Sequence, residues 1–469
     1  MNCTRHIRTP LDFTAITDHA EALGEYEICT NPDRAGYQTS TCEGIRNSEM
    51  QIFQEIFAGM ANSPPSRVEE ICGADGATCR NALSGPWQEV QQAAADSYEP
   101  GKFTSFVAYE LSAGAPEGKG GMMHRNVIFR SDNVPETVFS AFEGTAEELH
   151  AWLERECTDD CQVLTIPHNP NFYWGRLYWG RNSDGTPFTE DILQRRARMD
   201  RLVEIMQIKG NFEGHYAFND GTPDIRPGLK PNPTAEAMGM SGDDDPTRLY
   251  NPGAITGVWA VRNDRESIWD ALYRRETFAT SGTRTRIRMF AGYGHDAALL
   301  TRSDWQSAAA ARGVPQGGDL PGAKAGQAPQ LAVWAVRDPL SAPLARLQVI
   351  KGWKTASGEL KEQTYDIACS DDGKPDPKMH RCPDNGATVN PDTCEISVNK
   401  GAAELSSLWT DPDFDPQEDA FYYARVLENP VCRWSRYDAK KAGVEHPADL
   451  PATIRERAWS SPVWCTPES

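Results

Sequence analysis

Four short stretches of the chain set a metal-binding side chain at the edge of an apolar run. "LDFTAIT" (11–17) ends on Asp18 and His19, and "FTSFVAYE" (103–110) ends on Glu110. His124 opens "HRNVIFR" (124–130), and His168 follows "VLTIP". Imidazole nitrogens and carboxylate oxygens are the donors that hold Zn²⁺, Mn²⁺ or Fe²⁺, at about 2.0–2.2 Å. An ion held this way acidifies water and polarises ester oxygens, so the chemistry to expect is metal-assisted hydrolysis. The chain has nine histidines in 469 residues, and three of them stand in this setting. Each residue also has a plainer reading. Asp18 could cap a helix starting at Ala20, Glu110 could pair with Arg125, His124 could sit beside Arg125 as a structural pair, and His168 could cap a turn. As a set, they read as a metal site with His19, Glu110, His124 and His168 as ligands.

Arg125 and Lys209 are candidates for the non-bridging oxygens of a phosphoester, because charge-assisted bonds to phosphate are strong. Salt bridges to Glu110 or Glu204 are the competing assignment. Thr280, Ser281, Gly282 and Thr283 resemble an anion-binding turn, but without GxxxxGK[ST] they make no P-loop. There is no GxSxG, and no cysteine stands in a nucleophile setting. Trp174 and Trp179, just after His168, could stack on a sugar ring, yet no carboxylate pair can be placed at glycosidase separation. His215 is undecided, whereas His6, His150, His295, His380 and His446 are expected at the surface.

Elements must deliver these residues to one place. Apolar runs of strand length recur at 103–110, 124–130, 162–169 and 202–208, with helical stretches between several of them. "IRNSEMQIFQEIFAG" sets Ile45, Met50, Ile52, Phe53 and Phe57 roughly along one helical face. "TAEELHAWLERE" opens with a Thr145/Glu148 capping box, and "TEDILQRRARMD" puts Leu193 on its apolar side. In "NDRESIWDALYRRETFATSG" Asn263 can cap a helix whose stripe is Ile268, Trp269 and Leu272. Such alternation predicts an α/β fold of βα units, with a largely parallel sheet or barrel over residues 1–300. In a barrel of this kind the strand ends converge on one catalytic face. Residues 301–329 read as a loose linker or excursion. Beyond them, "LAVWAVRD", "LARLQVIKGW", "EQTYDIAC", "CEISV" and "FYYARVLE" predict a β-rich, sandwich-like unit over 330–469.

The length suggests two or three domains. A net charge of −20 argues against a nucleic acid or anionic lipid partner and suits a small-molecule substrate. No stretch is long and apolar enough for a membrane span. Twelve cysteines in polar, closely spaced settings, without CxxC pairs, point to disulfides and hence to a periplasmic or secreted protein. Cys72 is expected to bridge Cys79, and Cys369, Cys382, Cys394 and Cys432 to form two bridges of open connectivity. No signal peptide is visible near Met1.

"LDFTAITDHAEALGE", "SFVAYE", "HRNVIFR", "IPHNPN", "LVEIMQIKGN", "NPGAITGVWAVRNDRESIWDALYRRETFATSGTR" and "CPDNGATVNPDTCEIS" resemble the bacterial DUF3604 family over nearly the full chain. That family is related to the PHP (polymerase-and-histidinol-phosphatase) metallohydrolases, distorted (β/α)₇ barrels that hydrolyse phosphoesters with up to three metal ions. The resemblance implies that His19, Glu110, His124 and His168 fall on metal ligands and Asp18 on the partner position beside His19. It also implies export.

Two motifs of the PHP pattern are missing from the chain. The HxH of the first strand is absent: the chain starts "MNCTRHIRTPLDF", and His6 has no histidine two residues away. The late DxH is absent too, since "IKGN" runs into "FEGHYAFNDGTP" and Asp220 is followed by Gly-Thr-Pro. The expectation is an incomplete or distorted PHP-like barrel. Its site would be mononuclear at most, its metal sub-stoichiometric, and its turnover of an activated phosphodiester near background. The rival reading is a non-catalytic exported binding or structural protein of the same descent.

Overall fold

The computed structural model describes residues 7–60, 62, 64–114, 122–168, 181–182, 185–207, 210–213, 253–322, 327–448 and 450–467. The chain divides into two compact units, Met1–Glu204 with Ala260–Tyr273, and Ile205–Trp259 with Arg274–Ser469. The fold is mixed α/β, with several small sheets.

The first unit opens with strand β1 (Phe13–Ala15) and a helical layer of α1 (Leu23–Thr30), α2 (Ser40–Arg46), α3 (Met50–Met60), α4 (Glu69–Cys72), α5 (Ala77–Ala82) and α6 (Ser84–Asp96). Strands β2 (Thr104–Phe106), β3 (Ala108–Gly114) and β4 (Met122–Phe129) follow, then α7 (Glu148–Glu156), β5 (Val163–His168) and α8 (Glu190–Met199). β1 pairs with β2 in parallel, whereas β3, β4 and β5 form an antiparallel sheet in that order. Among the described strands of the first unit, the expected parallel arrangement therefore holds for one pair. Residues 115–121 between β3 and β4 are too few for the dozen or more that a parallel crossover needs. Among the described residues these strands close no barrel.

Alternation along the strands sorts the side chains. Tyr109, Leu111, Val127 and Phe129 enter one buried core with Trp87 of α6 and Leu149 of α7. The Trp87 indole N–H donates to the Pro135 carbonyl at 2.9 Å, which satisfies its one polar atom inside that core. Even-numbered residues take the opposite face of the sheet.

Several local expectations change at the helices. The single helix read across Ile45–Phe57 is two, because Ser48 adopts φ 58° between α2 and α3. Serine and asparagine compete for their own backbone and favour such breaks. The Thr145 N–H does bond Glu148 at 2.7 Å, and Thr189 caps α8 by accepting from the Ile192 N–H. Leu193, however, faces solvent, and Met199 is the residue of α8 that is buried. α1 leans closely on α5: a Cβ on Gly24 would lie 2.0 Å from the Cys79 carbonyl oxygen, so only glycine fits.

The second unit opens with the short strands β6 (Met206–Gln207) and β7 (Gly210–Asn211), so the strand expected over 202–208 is reduced to two residues. β8 (Ile255–Val258) comes next, and the chain then returns to the first unit for α9 (Arg265–Tyr273). Asp264 rather than Asn263 caps α9, its carboxylate accepting from the Ser267 N–H at 2.8 Å.

β9 (Thr277–Thr280), β10 (Arg286–Gly292), α10 (Trp305–Ala310), β11 (Gly313–Pro315), β12 (Asp319–Leu320) and β13 (Gln330–Val336) continue the second unit. The stretch expected to be a loose excursion thus carries a helix and two paired strands. β14 (Leu344–Lys354), β15 (Leu360–Cys369), β16 (Glu404–Thr410) and β17 (Asp419–Glu428) are the long strands. The chain ends with β18 (Val431–Cys432), α11 (Trp434–Ala442), β19 (Thr453–Ile454), β20 (Arg457–Ser460) and β21 (Val463–Cys465). One sheet runs β11-β10-β13-β16; a second follows β12-β21-β17-β20-β9-β8, with β14 joining β17 to β15. Met289 and Val333 from the first sheet and Val349, Tyr422 and Ala424 from the second bury into one core.

Disulfides join Cys29–Cys42, Cys72–Cys79, Cys157–Cys161, Cys369–Cys382 and Cys394–Cys432. The open connectivity of the last four cysteines is thereby resolved. Five bridges are consistent with an oxidising, non-cytoplasmic environment. No described helix is long and apolar enough to cross a membrane. Ten of the twelve cysteines are bridged, Cys465 is buried and unbridged, and Cys3 lies outside the described residues. Thiol titration of the denatured, unreduced protein should therefore find no more than two reactive thiols; a count near twelve would overturn the bridges and the compartment together.

Candidate metal centre

Two pieces of backbone geometry assemble the site. Glu110 donates its N–H to the Asp18 carbonyl at 2.8 Å and accepts from the Ala20 N–H at 3.0 Å, which locks His19 beside Glu110 in a parallel bridge. Across the antiparallel sheet, Ser112 stands opposite His124, and His124 stands opposite His168. Glu110 lies two residues before Ser112 on β3 and so shares its face. The period of two in a strand, combined with the register, puts all four expected ligands on one patch.

There, Glu110 Oε1 is the point of convergence. His124 Nδ1 lies 2.7 Å from it, His168 Nε2 3.0 Å and His19 Nδ1 3.8 Å. The Ser112 hydroxyl is 2.9 Å from the same oxygen and 2.6 Å from His124 Nδ1. Glu110, His124 and His168 bring their donor atoms within 4.8 Å of one another. Their side chains are 12%, 12% and 8% exposed, whereas His19 is 58% exposed and forms the open rim. Glu21 holds that rim: its carboxylate lies 3.2 Å from His19 Nδ1 and also accepts the Ser112 N–H. A His19 proton given to Glu21 from Nδ1 leaves the lone pair on Nε2.

The electrostatics suit a cation. Burial pushes the Glu110 carboxyl up, but hydrogen bonds from His124 and His168 and their charge outweigh it and hold Glu110 well below the usual range. Burial pulls His124 down to about 4 against the opposing pull of Glu110. At neutral pH the pair is thus a carboxylate beside a neutral imidazole, the protonation state a metal requires. Glu21 is raised by its burial, with His19 and the Ser112 N–H opposing. His168 Nδ1 is buried and has no hydrogen-bond partner among the described residues. An ionised carboxylate with the neutral His124 imidazole and the His168 Nε2 converging on one oxygen fits a site built around a divalent ion.

Not every expected residue joins this patch. Asp18 is exposed and contributes its backbone carbonyl. Arg125, one residue past His124, points to the opposite face and is 2% exposed. There its guanidinium grips Asp200 with two bonds of 3.1 Å, rather than Glu110, Glu204 or a substrate oxygen. Asp200 also meets His150 Nε2 at 3.1 Å and the Thr165 hydroxyl at 2.6 Å. His150, expected at the surface, is buried in that network, and His295 is buried in the second unit. The Thr280–Thr283 turn is closed on itself: Thr280 Oγ1 accepts the Gly282 N–H, and Ser281 bonds the Glu456 carboxylate. Lys209, His215, Asp220, Trp174, Trp179 and His6 lie outside the described residues.

A second grouping, Glu25 with Cys72 and Cys79, has metal-like donor types. Both sulfurs are consumed in a disulfide and Glu25 is paired with Arg67 at 2.7 Å, so no thiolate is available to an ion. Sequence reasoning missed Ser112 and Glu21. Both were findable, each standing two residues beyond a named ligand, Glu110 and His19.

Removing Asp200 breaks the buried ion pair that it forms with Arg125. Asp200→Ala should cost about 3–5 kcal/mol in urea denaturation while leaving metal content unchanged; loss of metal with little loss of stability would reverse the assignment of the two faces. The His124 shift sets a second test. Between its ordinary 6.5 and about 4, the unfolded chain takes up a proton that the folded one refuses. Metal-free protein should therefore lose thermal stability as pH falls from 6.5 to 4, and His124→Gln should flatten that slope. An identical slope in the variant would remove His124 as its source.

One family profile, described as "Protein of unknown function (DUF3604)", matches residues 2–224 and 225–467. Searches of curated proteins and of solved structures return no match. The matched segments take in His19, Glu110, His124 and His168 and nearly every residue of both units. The chain belongs to the DUF3604 family.

Proposed function

We propose that this protein is a metal-dependent hydrolase of the phosphoester type, with Glu110, His124 and His168 holding one divalent ion and His19 completing the set from the rim. The observation that carries the reading is the convergence of two imidazole nitrogens on one buried carboxylate oxygen, at 2.7 and 3.0 Å. An ion there supplies Lewis-acid polarisation of an ester oxygen and acidifies a water. The protein's own groups do the rest. Ser112 and Glu21 orient His124 and His19, and burial keeps His124 neutral. The resemblance of the stretches that carry His19, Glu110, His124 and His168 to PHP metallohydrolases supports the phosphoester class. Lys209 keeps its candidacy for a phosphate oxygen on sequence grounds. The disulfides support a periplasmic or secreted setting, and the net charge of −20 supports a small substrate over nucleic acid.

A second reading has an observation of its own. Glu110 Oε1 already receives His124, His168 and Ser112, so the polar cluster is close to satisfied without an ion. A non-catalytic exported binding protein would retain such a cluster for its packing.

Elemental analysis after dialysis against metal-free buffer, followed by Zn²⁺ and Mn²⁺ titration, separates the two. One equivalent should bind, and Glu110→Gln and His168→Ala should each weaken it at least tenfold. Hydrolysis of bis-p-nitrophenyl phosphate should be slow but Mn²⁺-dependent, since a single ion cannot clamp both attacking and leaving oxygens, and His168→Ala should abolish it. Tight metal without any turnover would favour the binding protein; no metal at all would sink the hydrolase.

A further inference from the structure

A cavity of about 180 Å³ opens beside the metal centre within the first unit. His19 and Glu21 form its polar side, so it continues directly from the ligand patch. The opposite wall is apolar. Phe53, Ile56, Phe57 and Met60 succeed one another at i, i+3, i+4 and i+7 on α3, one helical face, and Ile45 of α2 adjoins them. That face is left partly open, with Phe57 51% exposed. The polar groups on the cavity's rim are already paired: Glu21 with His19 and the Ser112 N–H, and Glu25 with Arg67 at 2.7 Å. Little is left in the walls to hold water, and an apolar cavity of roughly 150 Å³ is known to stay dry and to accept benzene.

We infer that this cavity is an aryl subsite, taking a single aromatic ring attached to the ester group presented to Glu110, His124 and His168. The volume matches one ring and is far below the 300–1,000 Å³ of a pocket for an entire drug-sized ligand. It therefore receives part of a substrate whose remainder lies over the ligand patch. Phe53 and Phe57 favour an aromatic occupant, because rings pack edge-to-face or offset against one another beyond their area burial. The placement of the ester group rests on the hydrolase reading; the ring site rests on the cavity alone.

Methyl-resolved NMR of the full chain, following Ile45, Ile56 and Met60, tests both parts with three probes: phenol, phenylphosphonate and methylphosphonate. Phenol and phenylphosphonate should shift these methyls, and methylphosphonate should not. In the Zn²⁺-loaded protein phenylphosphonate should bind at least tenfold tighter than methylphosphonate. Phe57→Glu, at a half-exposed position that folding tolerates, should weaken phenol binding at least fivefold by placing a charge at the mouth. Phenol that leaves all three methyls unmoved overturns the aryl subsite whatever the phosphonates do. Phenol that binds while neither phosphonate does upholds the subsite and overturns the phosphoester reading instead.

Discussion

An ionised carboxylate inside the protein is the constraint around which the first unit is arranged. Glu110 is 12% exposed, and a charge so buried is tolerated only when donors surround it. Those donors come from three strands and from the turn after β1, that is, from His124, His168, Ser112 and the His19 segment. None is within reach unless β3, β4 and β5 keep their register. A slip of one residue between β3 and β4 would turn His124 to the apolar core and bring Arg125 and Val127 to the carboxylate's face. The polar cluster and the hydrophobic core thus specify the same register from opposite faces. Agreement of that kind between levels is what gives a sequence one structure.

The same alternation explains why adjacent residues serve different ends. His124 and Arg125 are neighbours in sequence and lie on opposite sides of the sheet. One supplies a neutral nitrogen to the ligand patch. The other, with Asp200, His150 and Thr165, forms a buried network that ties β4 and β5 to the end of α8. Bidentate Arg–carboxylate geometry fixes orientation as well as distance. The network therefore ties the sheet to α8 from the face opposite His124 and His168, and touches neither.

How far the sequence could be read depended on whether the signal was local. The residues that converge on Glu110 were legible because each ends or opens an apolar run, and the strand period then fixes their face. Strands β13, β14, β15 and β17 were legible from their apolar runs and Cys72–Cys79 from its spacing, whereas "CEISV" forms no strand and β16 was missed. What failed was non-local. Nothing local to Arg125 says that its partner is Asp200, 75 residues away. His150 reads as a surface histidine until α7 is packed and its imidazole meets Thr165 and Asp200. Direction of pairing failed for a similar reason: βα alternation suggests parallel neighbours, but the shortness of the 115–121 connection governs β3 and β4. Strand ends at 202–208 and the ordered elements inside 301–329 are set by pairing partners that composition does not reveal.

The cavity next to the ligand patch raises a question of stability. Leaving roughly 180 Å³ of apolar space unfilled costs on the order of 4 kcal/mol at about 24 cal/mol per Å³, an upper bound where the space is partly open. A fold under no other demand would collapse α3 onto α1. Two features oppose that collapse. Cys29–Cys42 fastens α1 to α2, and a bridge of this kind contributes about 2–4 kcal/mol, comparable to the cost of the void. Gly24 and Cys79 draw α1 toward α5, and Cys72–Cys79 holds α5 in place. The helices that frame the space are therefore set by covalent and close backbone contacts rather than by mutual packing across it. Walls fixed in this way let an apolar guest enter without reordering side chains, and preorganisation lowers the cost of binding.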